Sequence, residues 1–288
     1  MKHVFVTGAG GGLGAATCSL LLQSGHTVFA TDSDPRALGA LKPDPRLIAC
    51  GMDVTNDGEV SRAGARVAAV TDGLDGLVCC AGIFAGGPLV EADLNEMAAI
   101  LDINVMGAFR VVKELFPLLR NRGGMVVLIG SESSRCAMPF NGPYTVSKYA
   151  LQAYADVLRR ELMFMGVRVA LVQPGAIRTP LLSGARSAIE RWESRTAFPA
   201  QLGLVRRMLS SEWEKGMEPT RVAKVIVGAL RGRGARASYR VGNDPLRVAL
   251  GKLPAAWTDT LIRWFLPAWS DTPLPRRRSA RTSGPAGR

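Results

Sequence analysis

The chain has 288 residues, 47% of them hydrophobic, and a formal charge of +12 at pH 7. That is enough apolar material for one sizeable α/β core, and no uninterrupted apolar run is long enough to expect a membrane-spanning helix. The charge is uneven. Residues 1–150 hold 12 Lys and Arg against 14 Asp and Glu, whereas residues 151–288 hold 24 against 10. A basic second half suits an anionic lipid, nucleic acid or an acidic partner, or is simply a solvated face.

The five cysteines (Cys18, Cys50, Cys79, Cys80, Cys136) are odd in number and form no C-x-x-C. Neither a disulfide framework nor a zinc site is expected, and a reducing cytoplasm fits best. Met1 and Lys2 lead straight into "HVFVTG", too short for the apolar core of a secretory leader, so none is expected.

In chain order, short apolar runs predict strands at 3–7, 27–31, 47–50, 74–79, 125–130, 167–172 and 238–242. Helical patterns fall between them near 13–24, 35–41, 56–71, 93–120, 144–165 and 219–231. Gly- or Pro-bounded strands alternating with helices indicate βαβ units and a parallel sheet covered on both faces. The expected fold is α/β, a doubly wound Rossmann-type sheet of about seven strands, spanning 1–244.

Two insertions break the rhythm. Residues 181–217 are helix-like and apolar, with Leu181, Leu182, Ile189, Trp192, Phe198, Leu202, Leu204, Met208, Leu209 and Trp213. Arg186, Arg191 and Arg195 are interspersed. Residues 245–270 carry one apolar stripe, with Leu250, Leu253, Trp257, Leu261, Trp264, Phe265 and Ala268, cut by Pro254 and Pro267. The stripe suits a subunit interface, a pocket cover, or an anionic membrane surface helped by Arg247, Lys252, Arg263 and the arginines at 276–278. Residues 271–288 have almost nothing to bury and read as a disordered basic tail.

The stretch "VFVTGAGGGLGAA" puts glycines at 8, 10, 11, 12 and 14, between the first strand and the first helix. Glycine lets backbone approach a pyrophosphate, and the helix start offers free N–H groups. G-x-G-x-x-G fails because Leu13 stands at its last position. T-G-x-x-x-G-x-G fits, through Thr7, Gly8, Gly12 and Gly14. Asp32, at the end of the second strand, is placed to accept from an adenosine ribose and to repel a 2′-phosphate, which favours NAD over NADP. Asp34 adds to that repulsion and, with Pro35 after it, also reads as a helix cap; Arg36 softens it.

Tyr144 and Lys148 are one helical turn apart, so their side chains share a face. A phenol titrates near pH 10, and a neighbouring ammonium favours its ionised form, which would make it a usable base. Ser131 ends the fifth strand on the edge where open sheets bind ligands, with Ser133 and Ser134 as competitors for its role. Asn104, polar amid apolar neighbours, reads either as a satisfied core amide or as the holder of a relay water.

Together these residues resemble the short-chain dehydrogenase/reductase family. The match is carried by "TGAGGGLG" at 7–14, Asp32, "DV" at 53–54, "CAG" at 80–82, "IN" at 103–104, Ser131, "YTVSK" at 144–148 and "PGAIRT" at 174–179. The stretch "PFNGPYTVSKYALQAYADVLRREL" is similar to the steroid and retinol dehydrogenase branch.

The resemblance implies an alcohol–carbonyl oxidoreductase using NAD, with NADP as the alternative. Tyr144 would be the acid/base, Lys148 would lower its pKa and bind the nicotinamide ribose, Ser131 would orient the reacting oxygen, and Asn104 would hold a relay water. Pro174, Gly175, Ile177 and Thr179 would meet the nicotinamide end. Asp53 and Val54 would flank adenine, with Ala81 and Gly82 lining the adenosine side. Cys80 stands where the family has asparagine, which puts local rigidity of the sheet in doubt.

The apolar character of 181–217, the segment that sets specificity in the family, implies a bulky apolar alcohol or ketone such as a steroid or retinoid. Its arginines leave open a 3-hydroxyacyl or 3-oxoacyl substrate. Homodimers or homotetramers through the helices of Asn104 and Tyr144 are expected. A rival of another class is a non-catalytic dinucleotide-sensing protein using its basic surface. No helix-turn-helix or aromatic RNA-binding pattern supports nucleic acid as a partner.

Overall fold

The computed structural model describes residues 2–193, 196–232 and 236–266; the side chains at 182, 183, 185–187, 193 and 211–213 are not described. Arg195, Pro267, Ala268 and the basic tail 271–288 therefore lie outside the described residues, as do the side chains of Leu182, Arg186 and Trp213.

Strand β1 (His3–Thr7) leads into α1 (Gly12–Gln23), β2 (Thr27–Asp32) into α2 (Pro35–Leu38), and β3 (Leu47–Gly51) into α3 (Asp57–Ala68). Strand β4 (Gly76–Cys79) is followed by α4 (Leu94–Leu101) and α5 (Gly107–Arg122), then β5 (Met125–Ile129) by α6 (Gly142–Leu162). After β6 (Arg168–Pro174) come α7 (Pro180–Glu193), α8 (Pro199–Lys215) and α9 (Pro219–Arg231). Strand β7 (Ser238–Val241) precedes the short α10 (Pro245–Leu250) and α11 (Ala255–Phe265).

All seven strands are parallel, in the order β3-β2-β1-β4-β5-β6-β7. The chain winds outward from β1 to β3, then returns to the other side of β1 at β4. Ligand crevices of open sheets form at that reversal, beyond the C-terminal strand ends.

Strand residues alternate between two faces. Val4, Val6, Val28, Val78, Val127 and Val172 pack under α1 and α9, with Leu21 and Ile226. Phe5, Phe29, Leu77, Leu128 and Leu171 face α3, α5 and α6, meeting Val60, Leu115 and Leu151. A third, smaller core joins Ile189 and Trp192 of α7 to Leu202, Val205 and Leu209 of α8. The helix-like insertion is thus a helical hairpin.

The helix expected over 93–120 is interrupted. Residues Asp102–Met106 form a π turn between α4 and α5. Such turns concentrate at functional sites, and this one contains Asn104. Directly after it, Gly107 lets α5 press against Val54, since a Cβ there would lie 2.6 Å from the valine Cγ2.

Candidate active site

A cleft of about 570 Å³ opens along the C-terminal strand edge. Its floor at one end is the glycine turn after β1. Gly8 takes φ +61°, and a Cβ there would stand 2.7 Å from the backbone N of Ala81 at the end of β4. Gly14 is packed harder, because its Cβ would lie 2.1 Å from the Gly8 carbonyl oxygen. A β-carbon on Gly12 would meet the Thr179 methyl at 2.8 Å. Helix α1 starts on Gly11, which has no side chain to cap the first-turn N–H groups. A dinucleotide pyrophosphate fits this cradle: the backbone of Gly11–Gly14 lines the cleft without a side-chain cap, and the helix dipole favours negative charge.

Gly8, Gly12, Leu13, Gly14, Gly82, Ser131, Tyr144, Pro174, Gly175, Ile177 and Thr179 wall the cleft. Thr7, Asp32, Asp53, Val54, Ala81, Asn104 and Lys148 stand behind or beside these walls. The Thr7 hydroxyl accepts from Ala81 N at 3.2 Å, tying β1 to β4 at the reversal point. Asp32 accepts from Gly10 N at 3.0 Å and Asp34 N at 3.1 Å, so it braces the glycine turn. Asp34 caps α2 through Arg36 N and also holds the Arg36 guanidinium at 3.3 Å. Asp53 folds its own turn, accepting from the N and hydroxyl of Thr55 at 2.9 and 2.8 Å.

At the other end, α6 begins where two loops are stitched together. Gly87 N donates to Phe140 O at 2.7 Å and Tyr144 N to Ala85 O at 3.1 Å. Phe140 is non-glycine yet takes φ +65°, beside Gly142 at +24°. The stitching delivers Tyr144 to the cleft with its ring 4.9 Å from that of Phe84. Phe84, Asn141 and Ile83 also wall the cleft. Sequence reasoning passed over them, because apolar and amide residues in a loop carry no signal of where they face.

Of the three serines, Ser131 couples to the phenol: its hydroxyl lowers the Tyr144 pKa. Ser133 also faces the cleft, but its N–H donates to the Ser131 hydroxyl at 3.1 Å. Ser134 donates to Ser131 O and accepts from Gln173 at 2.8 Å, within a buried amide network reaching Gln152 and Ser238.

Asn104 is buried, and its carboxamide oxygen and both amide hydrogens have partners. It accepts from Ile83 N at 2.8 Å and donates to Ile83 O at 3.0 Å and the Ser147 hydroxyl at 2.9 Å. It ties the loop after β4 to α6.

Lys148 is buried and donates to Ile129 O at 2.9 Å, with its ammonium 5.5 Å from the Tyr144 ring centroid. The expected lowering of the phenol pKa does not follow from the protein groups alone. Burial pushes Tyr144 up to about 12, against the lowering effect of Ser131, and the Glu132 carboxylate raises it further. Burial likewise pushes Lys148 down to about 8. The cause is common: both charged forms are withdrawn from water. Cys80 walls the cleft, and burial drives its thiol well above the usual range.

The short chain dehydrogenase family description matches residues 2–190. The chain belongs to that family. Among curated relatives, retinol dehydrogenase 16 of Homo sapiens is 31% identical over 285 residues, covering 93% of this chain and 89% of its own. A solved short-chain dehydrogenase of Burkholderia cenocepacia, in complex with NADP, is 25% identical with a TM-score of 0.70, covering 92% and 98% of the two chains. One from Burkholderia phymatum, in complex with NAD, shares the fold with a TM-score of 0.75 at 22% identity, covering 90% and 95%. The protein is thus an oxidoreductase of a family that binds NAD(P), on the steroid- and retinol-dehydrogenase-like branch.

Proposed function

We propose that this short-chain dehydrogenase interconverts a bulky apolar alcohol, steroid- or retinoid-like, and its carbonyl, with NAD in preference to NADP. The observation that carries the reading is the composition of the cleft. Ser131 and Tyr144 face a space walled by Ile83, Phe84, Ile129, Leu181 and Leu209. The retinol dehydrogenase relative supports the same substrate class. For the cofactor, the Asp32 carboxylate sits against the glycine turn, where it would repel a 2′-phosphate.

Bound NAD supplies the hydride acceptor and a positive ring. The chain does the rest. Tyr144 takes the hydroxyl proton, Ser131 donates to the same oxygen, and Lys148 holds positive charge behind the phenol. Asn104 positions α6 through Ser147. Because burial holds the phenol up to about 12, its base form is scarce at neutral pH. Alcohol oxidation should therefore accelerate with rising pH while carbonyl reduction should not.

The test is turnover with NAD against steroid, retinol and 3-hydroxyacyl panels, with Tyr144→Phe alongside. Oxidation of the first two, lost by at least about a thousandfold in Tyr144→Phe with NAD affinity kept, is expected. Turnover confined to the acyl panel would replace the substrate class. No turnover on any panel, with a salt-sensitive shift of DNA, would favour the dinucleotide-sensing binder.

Two surfaces support assembly readings. Met106, Phe109, Tyr149 and Val157 are exposed on or beside α5 and α6, which suits a homodimer or homotetramer. On α11, Trp257, Trp264 and Phe265 are 65%, 83% and 70% exposed. Amid a basic second half, such residues suit the interface of an anionic bilayer. No helix among the described residues is long and apolar enough to cross a membrane. Full-length protein should sediment with anionic vesicles, and Trp257→Ser/Trp264→Ser should release it; equal sedimentation would remove the membrane reading.

A further inference from the structure

The C-terminal extension reaches the chemistry. Asp244 caps α10, accepting from Leu246 N at 2.8 Å and Arg247 N at 3.0 Å. This sets Arg247 in the first turn, facing the cleft, whose wall it joins together with Ser131, Glu132, Ser133 and Tyr144. Its guanidinium pairs with Glu132 at 2.5 Å, and the two side chains are only 15% and 8% exposed. The other Glu132 oxygen accepts from Asp244 N at 3.0 Å. Glu132 directly follows Ser131, so the extension grips the serine loop at the residue next to Ser131. Packing agrees, since a Cβ on Gly251 would lie 2.7 Å from Arg135 O.

We propose that Arg247 is a positioning residue of the active site: its ion pair with Glu132 holds the Ser131 loop in place and cancels a buried carboxylate charge that otherwise acts on the Tyr144 phenol. The proposal rests on the acid/base reading of Tyr144 above.

Among the described residues, charged and titratable neighbours approach from several elements, with Arg135 and Tyr149 beside Cys136. Lys148 comes from α6, Cys80 from the end of β4, Arg191 from α7, and Cys136 and Asp244 flank the pair itself. Glu132 is the carboxylate that acts on the phenol, pushing its pKa up, and on the neighbouring Cys136 thiol Arg247 acts oppositely to Glu132. An unpaired carboxylate in low dielectric would act harder.

The experiment is a double-mutant cycle in the full-length protein: Arg247→Gln, Glu132→Gln, both together, and Arg247→Lys. Each is read by the pH profile of alcohol oxidation and by thermal unfolding. Arg247→Gln should lose about tenfold in rate at pH 7, a deficit that closes as pH rises, because a charge at this range moves a titration by about a unit or more. Glu132→Gln should shift the profile the other way. The double variant should bring the midpoint back towards wild type, and Arg247→Lys should recover part of it.

An unchanged profile in Arg247→Gln would overturn the proposal. So would a loss equal at every pH with a lowered melting temperature, which marks a merely structural contact. If Arg247→Gln does not fold, an unshifted profile in Glu132→Gln overturns it equally. Activity retained by Tyr144→Phe would instead fell the acid/base reading, while the unfolding cycle would still test the clamp.

Discussion

The two ends of the cleft are held by different kinds of force. At the glycine turn, backbone packs on backbone, Gly8 against Ala81 and Gly14 against the Gly8 carbonyl, and the Thr7 hydroxyl ties the turn across to Ala81 N. Everything there hangs on the central strands of the sheet. The α7–α8 hairpin has its own small core, and among the described residues side-chain contacts pin it to the body. Trp192 packs closely on Gly87, the Phe198 ring is tilted 5.5 Å from that of Phe140, and Glu91 accepts from the Thr196 hydroxyl at 2.8 Å and Ala197 N at 2.9 Å. A dinucleotide is one invariant ligand and suits a rigid cradle. A hairpin with a core of its own can change without disturbing the sheet.

The contrast breaks most sharply at Gly14. Gly14→Val should cost about 3 kcal/mol or more, the upper range for overpacking, and abolish measurable NAD binding. Urea unfolding and calorimetric titration check it, and a stable, NAD-binding variant would mean the turn is looser than its contacts imply.

Next is Lys148. Its folded-state pKa of about 8 lies below the usual 10.5. The unfolded chain therefore binds that proton more tightly, and stability should rise as pH climbs through the window between the two values. Lys148→Met should stabilise the cofactor-free protein at pH 7 by roughly 1–3 kcal/mol while removing activity. Unfolding midpoints at pH 7 and pH 10 measure both effects.

On the substrate side, Gly87→Ala forces a side chain onto φ +127° and into Trp192, 2.3 Å from its indole nitrogen. That should cost roughly 1–3 kcal/mol locally and raise the substrate KM about tenfold. NAD affinity should hold within about twofold, and equal loss of both affinities would erase the distinction between the two ends. The smallest effect is Glu91→Ala, which removes two bonds to the hairpin connection for about 1–2 kcal/mol. Hydrogen exchange should speed up in α7 and α8 and stay unchanged in α1.

Much of this architecture is written locally. Alternating strand residues with a two-sided apolar pattern, Asp34 before Pro35, and glycines at the end of β1 each act through their immediate neighbours, so the sheet, the capped α2 and the cradle were legible. The boundaries drifted where tertiary contacts intervened. The π turn at Asp102–Met106 lies within a continuous helical pattern, and Asn104 there is drawn into bonds with Ile83 and Ser147, residues far along the chain. Arg247 was legible only as one more basic residue near an apolar stripe.

By itself, the sequence determined the parallel sheet, its glycine turn and the pairing of Tyr144 with Lys148 on one helix, because periodicity and φ preference act over a few residues. Tertiary structure alone decided which serine meets the phenol, that burial raises the phenol pKa and lowers the lysine pKa, and that an arginine 115 residues beyond Glu132 closes over it. Those are matters of distance and dielectric, and both come into being only when remote segments exclude water together.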